Sequence, residues 1–96
     1  MNFNSLLQVT SRALQAVELQ LLSTPEADYL IAIKNQLKFI ITKAALGLDP
    51  IVELTTDELD KNRVFNFGII SSRELTSPKQ LKLKALIDVV AEELDS

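Results

Sequence analysis

The sequence predicts an all-α fold: a small bundle of about four helices in which the first two form an antiparallel hairpin. The stretch Pro25–Gly47 repeats its apolar residues at helical rather than strand spacing. The 96-residue chain has only two glycines and three prolines, which are few turn residues for an all-β fold. A chain of this length has room for one modest core. Residues 1–96 are therefore expected to form a single helical domain.

The first helix is predicted over about Asn4–Leu22. Ser5 and Gln8 have the spacing of a capping box. Its apolar stripe recurs at heptad-like spacing and is widened by two neighbours: Leu7, Thr10, Leu14, Val17 and Leu21, with Leu6 and Ala13. The tight connection Ser23–Pro25 favours antiparallel neighbours, because short links leave no room for a crossover. The first two helices are therefore expected to pack stripe against stripe.

The second helix, Pro25–Gly47, is the long element that the rest of the chain must cover. Thr24 is expected to be its N-cap, with Pro25 in the first position and Gly47 as the terminating glycine. Its predicted core stripe is Tyr29, Leu30, Ile33, Leu37, Ile40, Ile41 and Ala44. Phe39 lies off this stripe. Either it packs under a later helix, which we favour, or it meets a partner.

An acidic segment, Leu48–Asp60, follows the long helix. It has five acids and no base before Lys61, with interleaved apolar residues: Asp49, Glu53, Asp57, Glu58 and Asp60, with Ile51, Val52 and Leu54. Thr55–Glu58 has capping-box spacing, so a helix can restart there. The segment is either a solvated connector whose apolar residues fold back onto the core, or a surface that faces a partner.

The stretch Arg63–Leu75 is ambiguous. Val64–Ile70 is β-rich and partly alternating, and as a helix its apolar residues spread over a wide arc, which favours a strand. However, no second strand is available to pair with it, and a lone strand leaves its backbone polar groups unsatisfied. We therefore predict a helix, in which Gly68 marks either a close approach between helices or a kink.

The last helix has the clearest start signal. Ser77, Pro78 and Gln80 combine an N-cap, a proline at the first helical position and a capping-box glutamine. Its main stripe is Leu83, Leu86, Ile87, Val90 and Leu94, and a second, smaller patch is Leu81, Ala85 and Val89. Two apolar faces indicate either a central position in the bundle or contact with a second copy. A homodimer is therefore one of the two alternatives.

The composition argues against most catalytic chemistry. The chain has no cysteine and no histidine, which removes disulfides, Cys-ligated zinc and nucleophile–histidine pairs. It also lacks a phosphate-binding glycine loop and a nucleophile elbow. The net charge of −3 disfavours nucleic acid, since phosphate binding needs a basic surface. We predict no enzyme activity, no cofactor and no metal.

The location is predicted from two further patterns. The N-terminal residues lack the basic region and the continuous apolar run of a secretory signal. No apolar run approaches the length of a membrane span. We expect a cytoplasmic protein whose partner is another protein, with no membrane contact.

The order of several short motifs resembles one protein family. In chain order they are Arg12–Leu14, Pro25, Gln36-Leu37 with Ile40, Gly68–Ile70, and Arg73-Glu74. This order is similar to that of the small immunity proteins that protect bacteria from a type VI secretion effector with NAD(P)+ glycohydrolase activity. The resemblance covers about Leu6–Glu74. It departs from the family at Ser71 and Ser72, where the family pattern favours alanine.

The resemblance implies an all-helical protein that binds the toxin domain directly and blocks the entrance of its active site. NAD+ is then not consumed, and both the producing cell and its sister cells survive interbacterial competition. Because an enzyme for anionic NAD+ needs a basic cleft, we expect the acidic segment to make the contact. The candidate partner-binding residues are Asp49, Ile51, Glu53, Leu54, Asp57, Glu58 and Asp60.

Two other classes compete with an immunity protein. One is a small helical adaptor or structural module that self-associates through the spare apolar faces and has no toxin partner. The other is an antitoxin that also binds operator DNA. The acidic charge and the lack of a basic recognition helix count against the second.

Overall fold

A computed structural model describes residues 2–56 and 64–95 of the chain. In chain order its elements are α1 (Phe3–Ser23), α2 (Asp28–Ala45), α3 (Pro50–Leu54), α4 (Phe67–Glu74), a 3₁₀ turn (Pro78–Gln80) and α5 (Leu81–Asp95). No strand occurs within these residues. The all-α prediction is confirmed, and α1, α2, α4 and α5 form the small bundle.

The helices form a ring around the core. α1 packs along α2 as the predicted hairpin and also along α5, and α4 contacts both α2 and α5. The hydroxyl of Ser5, near the start of α1, donates to Glu93 Oε1, near the end of α5, at 2.9 Å. α1 is therefore antiparallel to both of its neighbours. The short α4 lies on the opposite side of the ring, and α3 contacts α2.

The core receives one stripe from each long helix. The buried apolar side chains of α2 and α5 are Leu30, Ile33, Leu37, Ile40 and Ala44, and Leu83, Ile87, Val90 and Leu94. Tyr29, Ile41 and Leu86, which were also predicted for these stripes, are half-buried. The predicted core faces of the second and last helices are thus confirmed, with these three residues at their edges.

The buried face of α1 differs from the predicted one by a small rotation. Its buried residues are Leu6, Thr10, Ala13 and Val17. Leu7, Leu14 and Leu21, which the heptad-like spacing placed centrally, lie half-buried at its edge. The cause is that α1 lies between two antiparallel neighbours, so its core face is wider than a single seam and includes residues such as Leu6.

The start of α1 is set by Asn2 rather than by Ser5. The Asn2 side chain accepts a hydrogen bond from the Ser5 amide at 3.0 Å, the geometry of an N-cap. The predicted capping box is therefore wrong, and the helix begins at Phe3. Ser5 is free to bond α5 because its hydroxyl is not needed at the helix end.

The start of α2 also differs from the prediction. Pro25 lies in a turn, and the helix begins at Asp28 with Ala27 in the N-cap position. Thr24 instead ends α1, because its amide and its hydroxyl both donate to the carbonyl of Gln20 at 3.0 Å. A hydroxyl between two helices can serve either one, and here it serves the preceding helix.

The end of α2 matches the prediction. Gly47 has a φ of +73°, which a residue without a Cβ adopts at little cost. The Gly47 amide donates to the Ala44 carbonyl and the Leu48 amide to the Lys43 carbonyl, both at 3.0 Å. These are the two bonds of a Schellman motif. This turn directs the chain into α3.

Candidate partner-binding site

The first part of the acidic segment forms α3. The Asp49 carboxylate accepts from the Ile51 amide at 2.9 Å and caps the helix. Pro50 and Leu54 are buried, whereas Ile51 and Val52 are 40% and 58% exposed. The first alternative, apolar residues that fold back onto the core, holds for Pro50 and Leu54, and the partner-facing alternative stays a prediction. One side of α3 folds back onto the rest of the chain, and the other presents apolar side chains to solvent.

The two threonines after α3 end this helix. The Thr55 hydroxyl donates to the Ile51 carbonyl at 3.2 Å and the Val52 carbonyl at 3.0 Å. The Thr56 hydroxyl donates to the Glu53 carbonyl at 2.8 Å. Their side chains are thus turned back toward α3 rather than forward to a new helix. The rest of the predicted restart, together with the candidate residues Asp57, Glu58 and Asp60, lies outside the described residues.

A side chain from α2 caps α4. Gln36 Oε1 accepts from the amides of Asn66 and Phe67, both at 3.0 Å, and Gln36 Nε2 donates to Asn66 Oδ1. Asn66, in the N-cap position, makes no cap bond with its own side chain. The first amides of a helix have no partner within it. Gln36 supplies that partner across the bundle and fixes the start of α4 on α2.

Three aromatic rings hold the chain that leads into α4. The rings of Phe39 and Phe65 meet edge to face with centroids 5.9 Å apart, and the centroids of Phe65 and Phe67 are also 5.9 Å apart. Lys43 Nζ lies 5.5 Å from the centroid of Phe39, which is within cation–π range. Phe39 therefore packs within the chain, against Phe65 in the link that leads into α4 rather than under a later helix.

α4 resolves the ambiguous stretch as a helix from Phe67 onward. Gly68 is not a point of close approach, because a Cβ placed there would meet nothing within 4 Å. The wide apolar arc that favoured a strand has a simple explanation. Phe67 and Ile70 face the core, whereas Ile69 is 68% exposed.

An open groove of about 820 Å³ lies between α3, α4 and the end of α5. We call it the α3–α4–α5 groove. Its buried floor includes Leu54, Phe67 and Leu94, and its exposed walls include Ile51, Val64 and Ile69. Among the residues that the structure describes, its charged lining residues are Arg73 and Asp95. The volume is in the range of cavities that hold drug-sized ligands. Most of the named lining is apolar, so the groove is suited to apolar side chains.

The candidate residues from the acidic segment divide between two positions. Ile51 and Leu54 line the groove, whereas Asp49 and Glu53 do not. Sequence reasoning missed Val64, Ile69 and Asp95. The wide apolar arc of the stretch before and within α4 was the signal for the first two, since a helix with such an arc cannot bury all of it.

The second apolar patch of α5 faces solvent. Leu81 and Val89 are 54% and 40% exposed, and Ala85 between them is exposed as well. A central position for α5 in the bundle is therefore wrong. The exposed patch leaves the other alternative, contact with a second copy, as a prediction.

Two kinds of site are absent from the described part of the chain. Within residues 2–56 and 64–95, no three acidic side chains lie together in a way that could hold a metal ion. No helix in these ranges combines the length and hydropathy that crossing a bilayer requires. The groove is thus the main site-like feature of these residues.

The fold and the groove define a small helical domain with an open, mostly apolar groove. We found no family model, curated protein or solved structure that matches this chain. The functional inference therefore depends on the motif order in the sequence and on the chemistry of the groove.

Proposed function

We propose that this protein is an immunity protein that binds a secreted antibacterial toxin domain and occludes its active site. The observation that supports this most is the exposure of Ile51, Val64 and Ile69 on the walls of one groove. Large apolar side chains grouped on a small protein mark a surface that a partner covers. Binding of this kind needs no catalytic group, metal or cofactor.

The toxin class is proposed from the motif order. It is an NAD(P)+ glycohydrolase effector of a type VI secretion system, and the immunity protein meets it in the cytoplasm, where NAD+ is consumed. An active site for an anionic dinucleotide presents positive potential. The net charge of −3 on this chain then speeds association and disfavours partners of the wrong charge.

α3 combines an apolar anchor with a polar rim. Ile51 and Val52 project from it, and Glu53 is half-buried beside them. Asp49 contributes charge rather than a flexible contact, since its carboxylate is held by the Ile51 amide. An apolar centre with charges at its edge is the usual composition of a protein–protein interface.

Co-expression with a secreted NAD(P)+ glycohydrolase toxin domain, chosen from the reading frames next to this gene, tests the proposal. Survival of the cells, co-purification and a calorimetric Kd are the readouts. Ile69→Asp is expected to weaken binding at least about tenfold, because it places a charge in the apolar centre of the contact. The matched control is Leu22→Asp, since Leu22 is 80% exposed on α1. Death of the cells without co-purification contradicts the proposal, and an equal loss in both variants would show that the groove is not the contact surface.

The contribution of charge is tested with Asp49→Asn and Glu53→Gln together. Asparagine caps a helix about as well as aspartate, so folding is retained while two charges are removed. We expect a weaker complex whose remaining affinity depends less on salt than that of the original protein. Unchanged affinity and unchanged salt dependence would exclude a role for these acids.

The α5 patch supports a second candidate, a self-associating helical module. Leu81, Ala85 and Val89 recur at four-residue spacing on one exposed face, which places them in a row along the helix. Sedimentation of the isolated protein, with Val89→Lys as the disrupting variant, tests this. A dimer that Val89→Lys dissociates supports self-association, and a monomer at all concentrations excludes it.

A further inference from the structure

We propose that the α3–α4–α5 groove binds a segment of the toxin domain that presents apolar side chains together with a lysine or arginine. The cation lies against the last turn of α5. This inference rests on the proposed function and specifies the chemistry of the segment that the groove recognises.

The walls and floor of the groove favour apolar side chains in the partner segment. Ile51 on α3 and Ile69 on α4 line the groove and are exposed. Phe67 and Leu94 also line it and are buried. Gly68 leaves open space beside its Cα. A partner segment that inserts apolar side chains here removes exposed apolar surface from water on both molecules.

The acidic end of α5 favours a basic side chain in the partner segment. Its last turn holds Glu92, Glu93 and Asp95 and no base. The C-terminal end of a helix already has a partial negative charge, which these acids increase rather than offset. Glu93 is bonded to Ser5, whereas Asp95 is exposed, lines the groove and has no hydrogen-bond or ion-pair partner among the described residues.

Arg73 also lines the groove and has a positive charge. Its Nε lies 3.3 Å from Glu74 Oε1, so a carboxylate of the same chain already offsets its charge. Asp95 has no such compensation among the described residues. The carboxylate of Asp95 is therefore the charge in the described lining that is left for a partner, and a basic side chain complements it.

A second copy of the chain is a less suitable occupant. Two identical grooves placed face to face would bring the ends of both α5 helices, with their acids, toward each other. The start of α5 does offer Leu81 beside Lys82, but its insertion into the groove of another copy is a heterologous contact, which builds a ring or an open chain of copies rather than a two-fold dimer. Concentration-dependent growth of such assemblies in sedimentation would overturn the inference.

The test uses two designed peptides of about four helical turns and the ¹⁵N-labelled full chain. Both peptides have leucines on one helical face. One has two lysines at one end, and its twin has glutamates in the same positions. The lysine peptide is expected to shift the amide signals of Ile69 and Leu94 with a Kd at least about tenfold lower than that of its twin, and the difference is expected to shrink at about 1 M salt.

Asp95→Lys tests the role of the carboxylate. This exposed position at a helix end tolerates lysine, which interacts favourably with the helix dipole. The variant is expected to reverse the preference for the lysine peptide. Glu18→Lys makes the same change of charge at an exposed position on α1 and is expected to preserve the preference. Equal binding of the two peptides, shifts outside the groove, absence of binding, or no effect of Asp95→Lys would each overturn the inference.

Failure of this inference is distinguishable from failure of the proposed function. A toxin domain that binds Asp95→Lys as tightly as Glu18→Lys overturns the basic contact and leaves the immunity function intact. A toxin domain that does not bind at all overturns the immunity function, while the peptide titration still reports on the groove.

Discussion

The two sides of this bundle differ in how they use apolar residues. On the α1–α2–α5 side, long helices meet along continuous stripes whose central residues, such as Leu6, Leu37 and Ile87, are fully buried. On the α3–α4 side the helices are 5 and 8 residues long, and Val64 and Ile69 remain 77% and 68% exposed. The first side supplies stability, and the second offers the apolar surface on which we base the proposed function.

The difference has a physical origin. A helix of one or two turns has little stability by itself, because the cost of nucleation is spread over few hydrogen bonds. α4 therefore depends on individual contacts from elsewhere, above all the cap supplied by Gln36 and the packing of Phe65. α1, α2 and α5 instead gain their stability from many buried side chains distributed along their length.

The largest expected effect on stability comes from replacing isoleucine by alanine, and it should differ between the two sides of the bundle. Ile33→Ala on α2 removes a fully buried side chain and is expected to lower the free energy of unfolding by about 3 kcal/mol. Ile69→Ala on α4 makes the same change at a side chain that is 68% exposed, and the expected change is within about 0.5 kcal/mol. Urea unfolding of both variants provides the measurement. Similar losses at the two positions would show that the groove wall is also packed.

The next effect concerns the cap of α4. Gln36→Ala leaves the Asn66 and Phe67 amides without their acceptor and is expected to lower the free energy of unfolding by about 2 kcal/mol. Gln36→Glu keeps an acceptor at the helix N-terminus, so a smaller loss is expected.

Hydrogen exchange locates the effect of Gln36→Ala. We expect faster exchange in α4 than in α1, because the cap acts only on α4. Gln15→Ala, at an exposed position on α1, is the control and is expected to change little. Uniformly faster exchange in all helices would contradict a local role for Gln36.

Replacing each of the two glycines by alanine is expected to change the stability in opposite directions. Gly47→Ala places a Cβ at a φ of +73° and is expected to destabilise by about 1 kcal/mol. Gly68 lies within α4, and a Cβ there meets nothing within 4 Å, so Gly68→Ala is expected to stabilise by about 0.5–1 kcal/mol through helix propensity. Thermal unfolding of both variants tests this. Destabilisation by Gly68→Ala would indicate a contact in the groove that the structure lacks.

Much of the structure on the α1–α2–α5 side could be predicted from the sequence, because the signals for its helices are local. The stripes of α2 and α5 follow from helical spacing, and the end of α2 follows from Gly47. The errors occurred where one residue can serve two elements. Thr24 has the chemistry of an N-cap, yet its hydroxyl bonds backward to Gln20, and sequence order does not indicate that direction.

The structure on the α3–α4 side was less predictable, because the residues that hold it in place are distant in sequence. Gln36 and Asn66 are 30 residues apart, so no local pattern reveals that one caps the helix at the other. The groove likewise joins Ile51, Ile69 and Asp95 from three helices. The acidic segment drew attention to Ile51 and Leu54, but the site also depends on how α4 and α5 pack.

The last expected effect, about as large as those at the two glycines, concerns the hydroxyl of Ser71, on the buried side of α4. Ser71 is fully buried, and its Oγ has no hydrogen-bond partner among the described residues, so it loses its hydration without compensation. Ser71→Ala is expected to raise the free energy of unfolding by about 1 kcal/mol. Ser72→Ala, at an exposed position on the same helix, gains helix propensity alone, so a difference between the two variants isolates the buried hydroxyl. Equal stabilisation by the two variants would mean that the Ser71 hydroxyl has a hydrogen-bond partner in solution.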